Sequence, residues 1–249
     1  MRIIYLIVFL GVLMPLCTQA QAPGEAVFQP HRLENGALLI EDFEDDEVGG
    51  LPAKWYNRDG DFRVVTAPEE EKAMYEYEIR QEAGNKYLHY NGIIVKHFNY
   101  PLINKEGINI YDTPVLSWKW RAWKLPRGAN EDDNSRNDTV ASIYVVFDFG
   151  RVLFRKVPKS IRYTWSSSLP KGTELSKFFG NQKIVVVETG ESQKGKWMTF
   201  KRNIVEDYRR LFGDEPPEKP LAILIMSDGD STNDSAIADY DDIMLLPDE

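Results

Sequence analysis

The sequence predicts an all-β chain: a β-sandwich of two mainly antiparallel sheets with one short amphipathic helix. Three observations point there. Six Trp, 12 Tyr and 12 Phe accompany 17 Gly and 14 Pro in 249 residues, a usage that suits short strands and frequent turns. Turn signals recur at short intervals from Asn35-Gly36 to Ser227-Asp228-Gly229, with no fixed-period repeat between them. Between the turns, apolar and polar residues alternate, so that one face of each stretch can be buried.

The clearest alternation is Tyr75, Tyr77 and Ile79 against Glu76, Glu78 and Arg80, followed by Gly84-Asn85 and Lys86-Tyr87-Leu88-His89-Tyr90. This is a hairpin signature. Further strands are expected over 37–43, 93–98, 115–122, 141–147, 161–166, 184–188, 197–202, 222–227 and 240–246. The exception is 203–213, where Ile204, Tyr208, Leu211 and Phe212 share one helical face. Asn203 can cap its first turn, Glu206 stands at the capping-box position, Gly213 can end it and Pro216-Pro217 forbid continuation. Such a helix is expected to close one end of the sandwich.

The first residues read differently. Arg2 precedes an uncharged run from Ile3 to Leu16, and Cys17-Thr18-Gln19-Ala20 follows. That is the order of a secretory signal, shorter than the roughly 20 apolar residues of a spanning helix. A cleaved signal peptide over 1–20, an N-terminal leader over 21–36 and a single sandwich domain over 37–249 are expected. The mature chain is then expected to be periplasmic or secreted, with no stable membrane insertion. Cys17 is the only cysteine, so cleavage leaves no thiol for a disulfide.

A formal net charge of −9 opposes phosphate backbones and makes nucleic acid an unsuitable partner. His31, His89 and His97 have no zinc-site spacing, and no Gly-X-Ser-X-Gly elbow is present. No catalytic residue is assigned.

Acidic loops are the sharpest local features. Asp228, Asp230 and Asp234 crowd one short loop with Gly229, Ser231, Thr232 and Asn233. Several carboxylates around a glycine can cage Ca2+, which takes six to eight oxygens, though the loop lacks EF-hand spacing. The alternative is a turn held by its own side-chain to backbone hydrogen bonds. Aromatic strands form a second group. Trp118 and Trp120 alternate with Lys119 and Arg121, and Tyr163 and Trp165 alternate with Arg162 and Thr164. Sugar rings stack on flat aromatic side chains, so Tyr163 and Trp165 beside Arg121, Asp138 and Arg202 are the candidate ligand-binding set. Core packing between the sheets is the competing use of those rings.

Two resemblances add to this reading. Glu41-Asp42-Phe43-Glu44-Asp45-Asp46 and Asp239-Tyr240-Asp241-Asp242-Ile243 resemble the ends of secreted jelly-roll modules that bind carbohydrate, in which a structural calcium can lie between the first and last strands. The resemblance implies Glu44 and Asp242 as ligands; a solvated acidic rim is the other reading. A longer set comprises Leu116-Ser117-Trp118-Lys119-Trp120, Leu125-Pro126-Arg127-Gly128-Ala129, Asn137-Asp138, Tyr163-Thr164-Trp165-Ser166, Asp207-Tyr208, Asp228-X-Asp230-X-Thr232 and Ala238-X-Tyr240-X-Asp242. As a set it resembles a bacterial secreted family known only as a domain of unknown function (three-zero-four-seven), over most of 38–246. The sequence departs from that pattern at Asn137, where aspartate is commoner, and at Ser231, where asparagine is usual. The family implies an envelope-side β-sandwich and no reaction.

The expected function is therefore a non-catalytic module that binds a glycan or glycoconjugate, with calcium stabilising the fold. The alternatives are an enzyme on envelope polysaccharide using carboxylates among Asp138, Asp228 and Asp230, and a protein-interaction scaffold.

Overall fold

A computed structural model describes residues 28–57, 76–148, 151–152 and 155–248. The expected signal peptide lies outside the described residues. In chain order the strands are β1 (His31–Arg32), β2 (Leu38–Glu41), β3 (Tyr56–Asn57), β4 (Tyr77–Glu82), β5 (Asn85–Gly92), β6 (Lys96–Pro101), β7 (Val115–Lys124) and β8 (Thr139–Asp148). They continue with β9 (Arg151–Val152), β10 (Arg155–Lys156), β11 (Lys159–Ser166), β12 (Glu174–Lys177), β13 (Gln182–Thr189), β14 (Met198–Asn203), β15 (Ala222–Asp228) and β16 (Ala236–Leu246). One helix, α1 (Ile204–Phe212), follows β14. No described helix is long and apolar enough to cross a membrane.

The strands form two seven-stranded sheets and the small hairpin β9-β10. In the first sheet β16 is central: it pairs with β7 along one side and with β5 and β2 along the other, while β14, β4 and β1 extend the edges. The second sheet runs β12-β13-β11-β8-β15-β6-β3. All of its pairs are antiparallel except β11 with β13. β1, which falls inside the expected leader, pairs with β2 of the expected domain through His31 opposite Leu39.

Alternation fills the space between the sheets. Trp118 and Trp120 from the first sheet meet Tyr163 and Trp165 from the second, with ring centroids 5.5 Å apart for Trp118–Tyr163 and 6.4 Å for Trp120–Trp165. All four are fully buried. Each aromatic ring removes a large apolar area from water, and this layer is a main source of stability in a chain without a disulfide.

α1 forms where the sequence places it. Asn203 Oδ1 accepts the Glu206 amide at 3.0 Å, and Gly213 takes φ +68° to stop the helix. Tyr208 is buried against Phe147 at 4.7 Å between centroids, so the helix closes one end of the sandwich. The 93–98 stretch differs from expectation: its strand is β6, three residues later. Ile93 and Ile94 are taken up by the turn after β5, where Glu76 Oε2 accepts the amides of both at 2.5 Å.

Candidate functional site

The second sheet turns Ile161, Tyr163 and Trp165 of β11 into the core, which leaves Ser160, Arg162, Thr164 and Ser166 on its outer face. Register places Arg162 opposite Tyr144 of β8, and Tyr144 opposite Leu224 of β15. A register shift near the start of β8 leaves both Val140 and Ala141 in the core and returns Thr139 to the outer face. Bulges commonly re-aim side chains in this way beside sites.

One end of this face carries a buried polar network beneath the segment 129–138. Glu131 is fully buried and accepts Ser166 Oγ at 2.6 Å and Thr164 Oγ1 at 3.4 Å. Arg162 is 1% exposed; its Nε donates to Ser142 Oγ at 2.9 Å and its Nη1 to Asn137 Oδ1 at 3.2 Å. The guanidinium lies 5.6 Å from the Tyr144 ring centroid. Its Nη2 finds no hydrogen-bond partner among the described residues.

Three carboxylates border the network. Asp228 Oδ1 accepts the Thr139 amide at 2.8 Å. Burial pushes the Asp228 pKa up to about 7; Arg162 opposes the rise, and the charges of Asp138 and Asp230 add to it. Asp138 Oδ1 accepts the Ser231 amide at 3.0 Å, and its Oδ2 accepts the Thr232 amide and hydroxyl at 2.7 and 2.6 Å. Asp138 thereby ties 229–232 to the start of β8. Gly229 is required here, because a Cβ would collide with the Asp234 carbonyl oxygen. Asp138, Asp228 and Asp230 each offer an oxygen within 4.8 Å of the others, a donor set of the hard type that calcium takes.

Toward the other end the face opens into a cleft of about 320 Å3 lined by Asn99, Tyr144, Val146, Ser160, Gln182 and Leu224, among others. Its floor is apolar, and amides and a hydroxyl stand at its sides. Asn99 is buried, and its Oδ1 accepts no hydrogen bond among the described residues.

The model of a protein family of unknown function, DUF3047, matches residues 55–244. The chain belongs to DUF3047. No curated protein matches it. Among solved structures, it is similar to the family 11 carbohydrate-binding module of a cellulosomal cellulase of Clostridium thermocellum, at 12% identity and a TM-score of 0.40 over 86% of this chain and 95% of the other. A carbohydrate-binding module specific for non-crystalline cellulose gives 12% and 0.40 over 89% and 100%. A xylanase gives 11% and 0.35 over 88% of this chain and 93% of the other.

In this DUF3047 chain the residues expected to form one ligand site divide among four places. Asp138 joins Asp228 and Asp230, as described. Tyr163 and Trp165 face the other sheet and are fully buried, so no sugar can stack on them; their strand parity served the core. Arg121 lies on the outer face of the first sheet, bonded through Nε to Asp239 at 2.7 Å and through Nη1 to Glu82 at 2.8 Å. Arg202 holds Asp207 at the start of α1, with contacts of 2.8 and 2.5 Å.

The acidic positions sort similarly. Asp234 stands outside the carboxylate cluster: Lys124 Nζ at 2.5 Å and the Arg127 amide at 2.9 Å engage it, and the Lys124 hydrogen bond holds its carboxyl below the ordinary range. Glu44 accepts the Lys86 amide at 2.8 Å, while Lys86 Nζ donates to the carbonyls of Glu44 and Asp46. Asp242 pairs with Lys119. Lysine ammonium groups therefore supply positive charge along the rim where the jelly-roll resemblance implied calcium. Buried Glu41 follows the same rule, accepting Lys54 Nζ at 3.2 Å and Trp55 Nε1 at 3.1 Å.

The sequence reading missed Arg162, Tyr144 and Asn99. Arg162 had a visible signal: it occupies the outward parity of a strand whose other outward positions are Ser160, Thr164 and Ser166.

Proposed function

We propose that this DUF3047 protein is an exported, non-catalytic binding module that holds a glycan or glycoconjugate along the outer face of its second sheet, in the periplasm or outside the cell. Export rests on the charge and apolar pattern of residues 1–20. The observation that carries the binding reading is the cleft itself. Ile103, Val146 and Pro158, with the 4% of Tyr144 that is exposed, give an apolar lining between the amides of Asn99 and Gln182 and the Ser160 hydroxyl. Sugars present C–H faces and hydroxyl groups together, and this lining answers both. The unused Asn99 acceptor suits a hydroxyl donor. Calcium, at Asp138, Asp228 and Asp230, would brace the loops at the end of the same face.

A second reading is polysaccharide cleavage, favoured by one observation: Asp228, with its pKa near 7, beside two further carboxylates. The geometry favours binding. Oxygens within 4.8 Å of one another are too close for the carboxyls of an inverting glycosidase, about 6.5–9.5 Å apart, and only the retaining spacing of about 5–5.5 Å comes near. Asp138 is in addition occupied by three loop donors.

Glycan-array binding and polysaccharide pulldown, each with calcium and with EDTA, test the proposal. Retention of a glycan by the wild type, weakened about tenfold in Tyr144→Ala and Asn99→Ala without release of reducing ends, is expected. Failure to bind any sugar under either condition would remove the proposal.

A further inference from the structure

The turn between β12 and β13 is built against its own sequence. Phe178, Phe179 and Gly180 have φ of +50°, +57° and +96°. The left-handed region suits glycine, and for a bulky side chain it is an outlier held only by its surroundings. Both rings also face water: Phe178 is 58% and Phe179 87% exposed. Folding gains nothing from either feature.

The turn is nevertheless pinned on both sides. Lys177 Nζ donates to the Asp132 carbonyl at 2.6 Å and to Asn134 Oδ1 at 3.0 Å. On the other flank, Asn181 Nδ2 donates to the Val157 carbonyl at 2.7 Å, and the Asn181 carbonyl accepts the Ser160 amide at 2.8 Å. The neighbours of these anchors, Pro158, Ser160 and Gln182, line the cleft. Phe178 and Phe179, four and three positions before Gln182 of the cleft lining, therefore sit on a turn tethered beside the cleft.

At about 320 Å3 the cleft is near the lower bound of roughly 300 Å3 for ligand pockets, so a polymer seated in it must run out over the rim. We infer that Phe178 and Phe179 form a stacking platform for the sugar units of a polysaccharide beyond the cleft, which makes the ligand class a polymer rather than a free mono- or disaccharide. This rests on the glycan reading proposed above. Phenyl rings have no polar tip, so the platform takes the C–H faces of successive units and adds affinity with chain length. Specificity stays with Asn99, Gln182 and Tyr144.

The test is affinity electrophoresis of the full mature chain in gels containing hydroxyethylcellulose, xylan or alginate, with titration of the disaccharide and hexasaccharide of whichever polymer retards it. Phe178→Ala/Phe179→Ala is compared with the wild type, and Phe179→Asn serves as a second variant whose side chain tolerates the left-handed backbone. Both variants are expected to melt at or above the wild-type temperature. They should lose at least about tenfold in affinity for polymer and hexasaccharide, with disaccharide affinity unchanged. Equal retardation of wild type and variants would overturn the platform and leave the glycan reading standing. A wild type that binds a mono- or disaccharide on the array but is retarded in none of the gels overturns the platform, and one that binds no sugar in either experiment withdraws both. Co-sedimentation of the wild type, but not the double variant, with phosphatidylglycerol vesicles would also overturn the platform and assign the rings to a lipid surface.

Discussion

His89 Nδ1 and Asp239 Oδ1 stand 2.6 Å apart on the outer face of the first sheet. The other oxygen of the fully buried Asp239 accepts Arg121 Nε and Trp123 Nε1, each at 2.7 Å. The Arg121 guanidinium in turn lies 4.5 Å from the Trp197 centroid and 4.6 Å from that of Trp123. One carboxylate thus holds three side chains from β5 and β7, the strands that flank its own β16, while His89 Nε2 finds no partner among the described residues. Asp239→Asn keeps the shape and removes the charge that Arg121 faces. Its expected cost is about 3 kcal/mol, the size seen when one partner of a buried pair is lost, read from urea unfolding. A variant within about 0.5 kcal/mol of wild type would mean that Glu82 alone satisfies Arg121.

Stability should fall as pH rises from about 4 toward 8. Burial pushes both Asp228 and Asp241 up to about 7, against an ordinary value of 3.8. Between those values the folded state holds protons that the unfolded state has released. Their contribution is fully present below about 3.8 and is lost as pH passes through about 7. Asp241→Asn keeps an acceptor for the Asp242 amide, now at 2.8 Å, and cannot ionise. In EDTA it is expected to match wild type at pH 5 and to exceed it at pH 8 by about 1–3 kcal/mol, with a flatter profile between. A wild-type profile that rises over this range would contradict the assignment.

Asp207 produces the opposite slope at acid pH. Burial raises its pKa, but hydrogen bonds from Arg202 and Arg210 outweigh that and hold it below 3.8. Its contribution is present above about 3.8 and is lost as pH falls through the depressed folded value. Tyr163 OH, at 2.8 Å, couples the same carboxylate to the core. Arg202→Ala is expected to cost about 2 kcal/mol at pH 7, to reduce the acid sensitivity and to leave glycan affinity unchanged. A loss of affinity without a loss of stability would return Arg202 to the ligand site.

The architecture was legible because its signals are local. Strand alternation, the cap at Asn203 and the stop at Gly213 each act within a few residues, and apart from the strand expected over 93–98 they appear in the structure where the sequence put them. The candidate site was only half legible. Asp138, Asp228 and Asp230 meet because β8 and β15 are neighbours in one sheet, whereas the metal set read from the sequence had Asp234 in the place of Asp138. Which face an alternating strand presents to its partner sheet is a tertiary fact. Tyr163 and Arg162 are adjacent in sequence, and choosing the ring over the charge selected the wrong side of β11. The short strand β12 and its turn gave no sign either, because Phe178-Phe179 reads as strand or core by composition.

Calcium should act at one of two places, and paired variants separate them. If the ion sits among Asp138, Asp228 and Asp230, it binds only the folded chain and stabilises it by mass action, about 2.7 kcal/mol at a hundredfold excess over Kd. Asp230 is the exposed member of the cluster, and Asp230→Ala spares both the three bonds that Asp138 makes to the loop and the Thr139 amide on Asp228. This variant should fold with a wild-type melting temperature in EDTA and lose the calcium-dependent rise. Glu44→Ala should keep that rise, because Lys86 and Lys119 already serve the acidic rim. A rise lost in Glu44→Ala and kept in Asp230→Ala would move the ion to the junction of the first and last strands. No rise in the wild type would remove calcium from the account and leave Arg162 as the cation that Asp228 answers to.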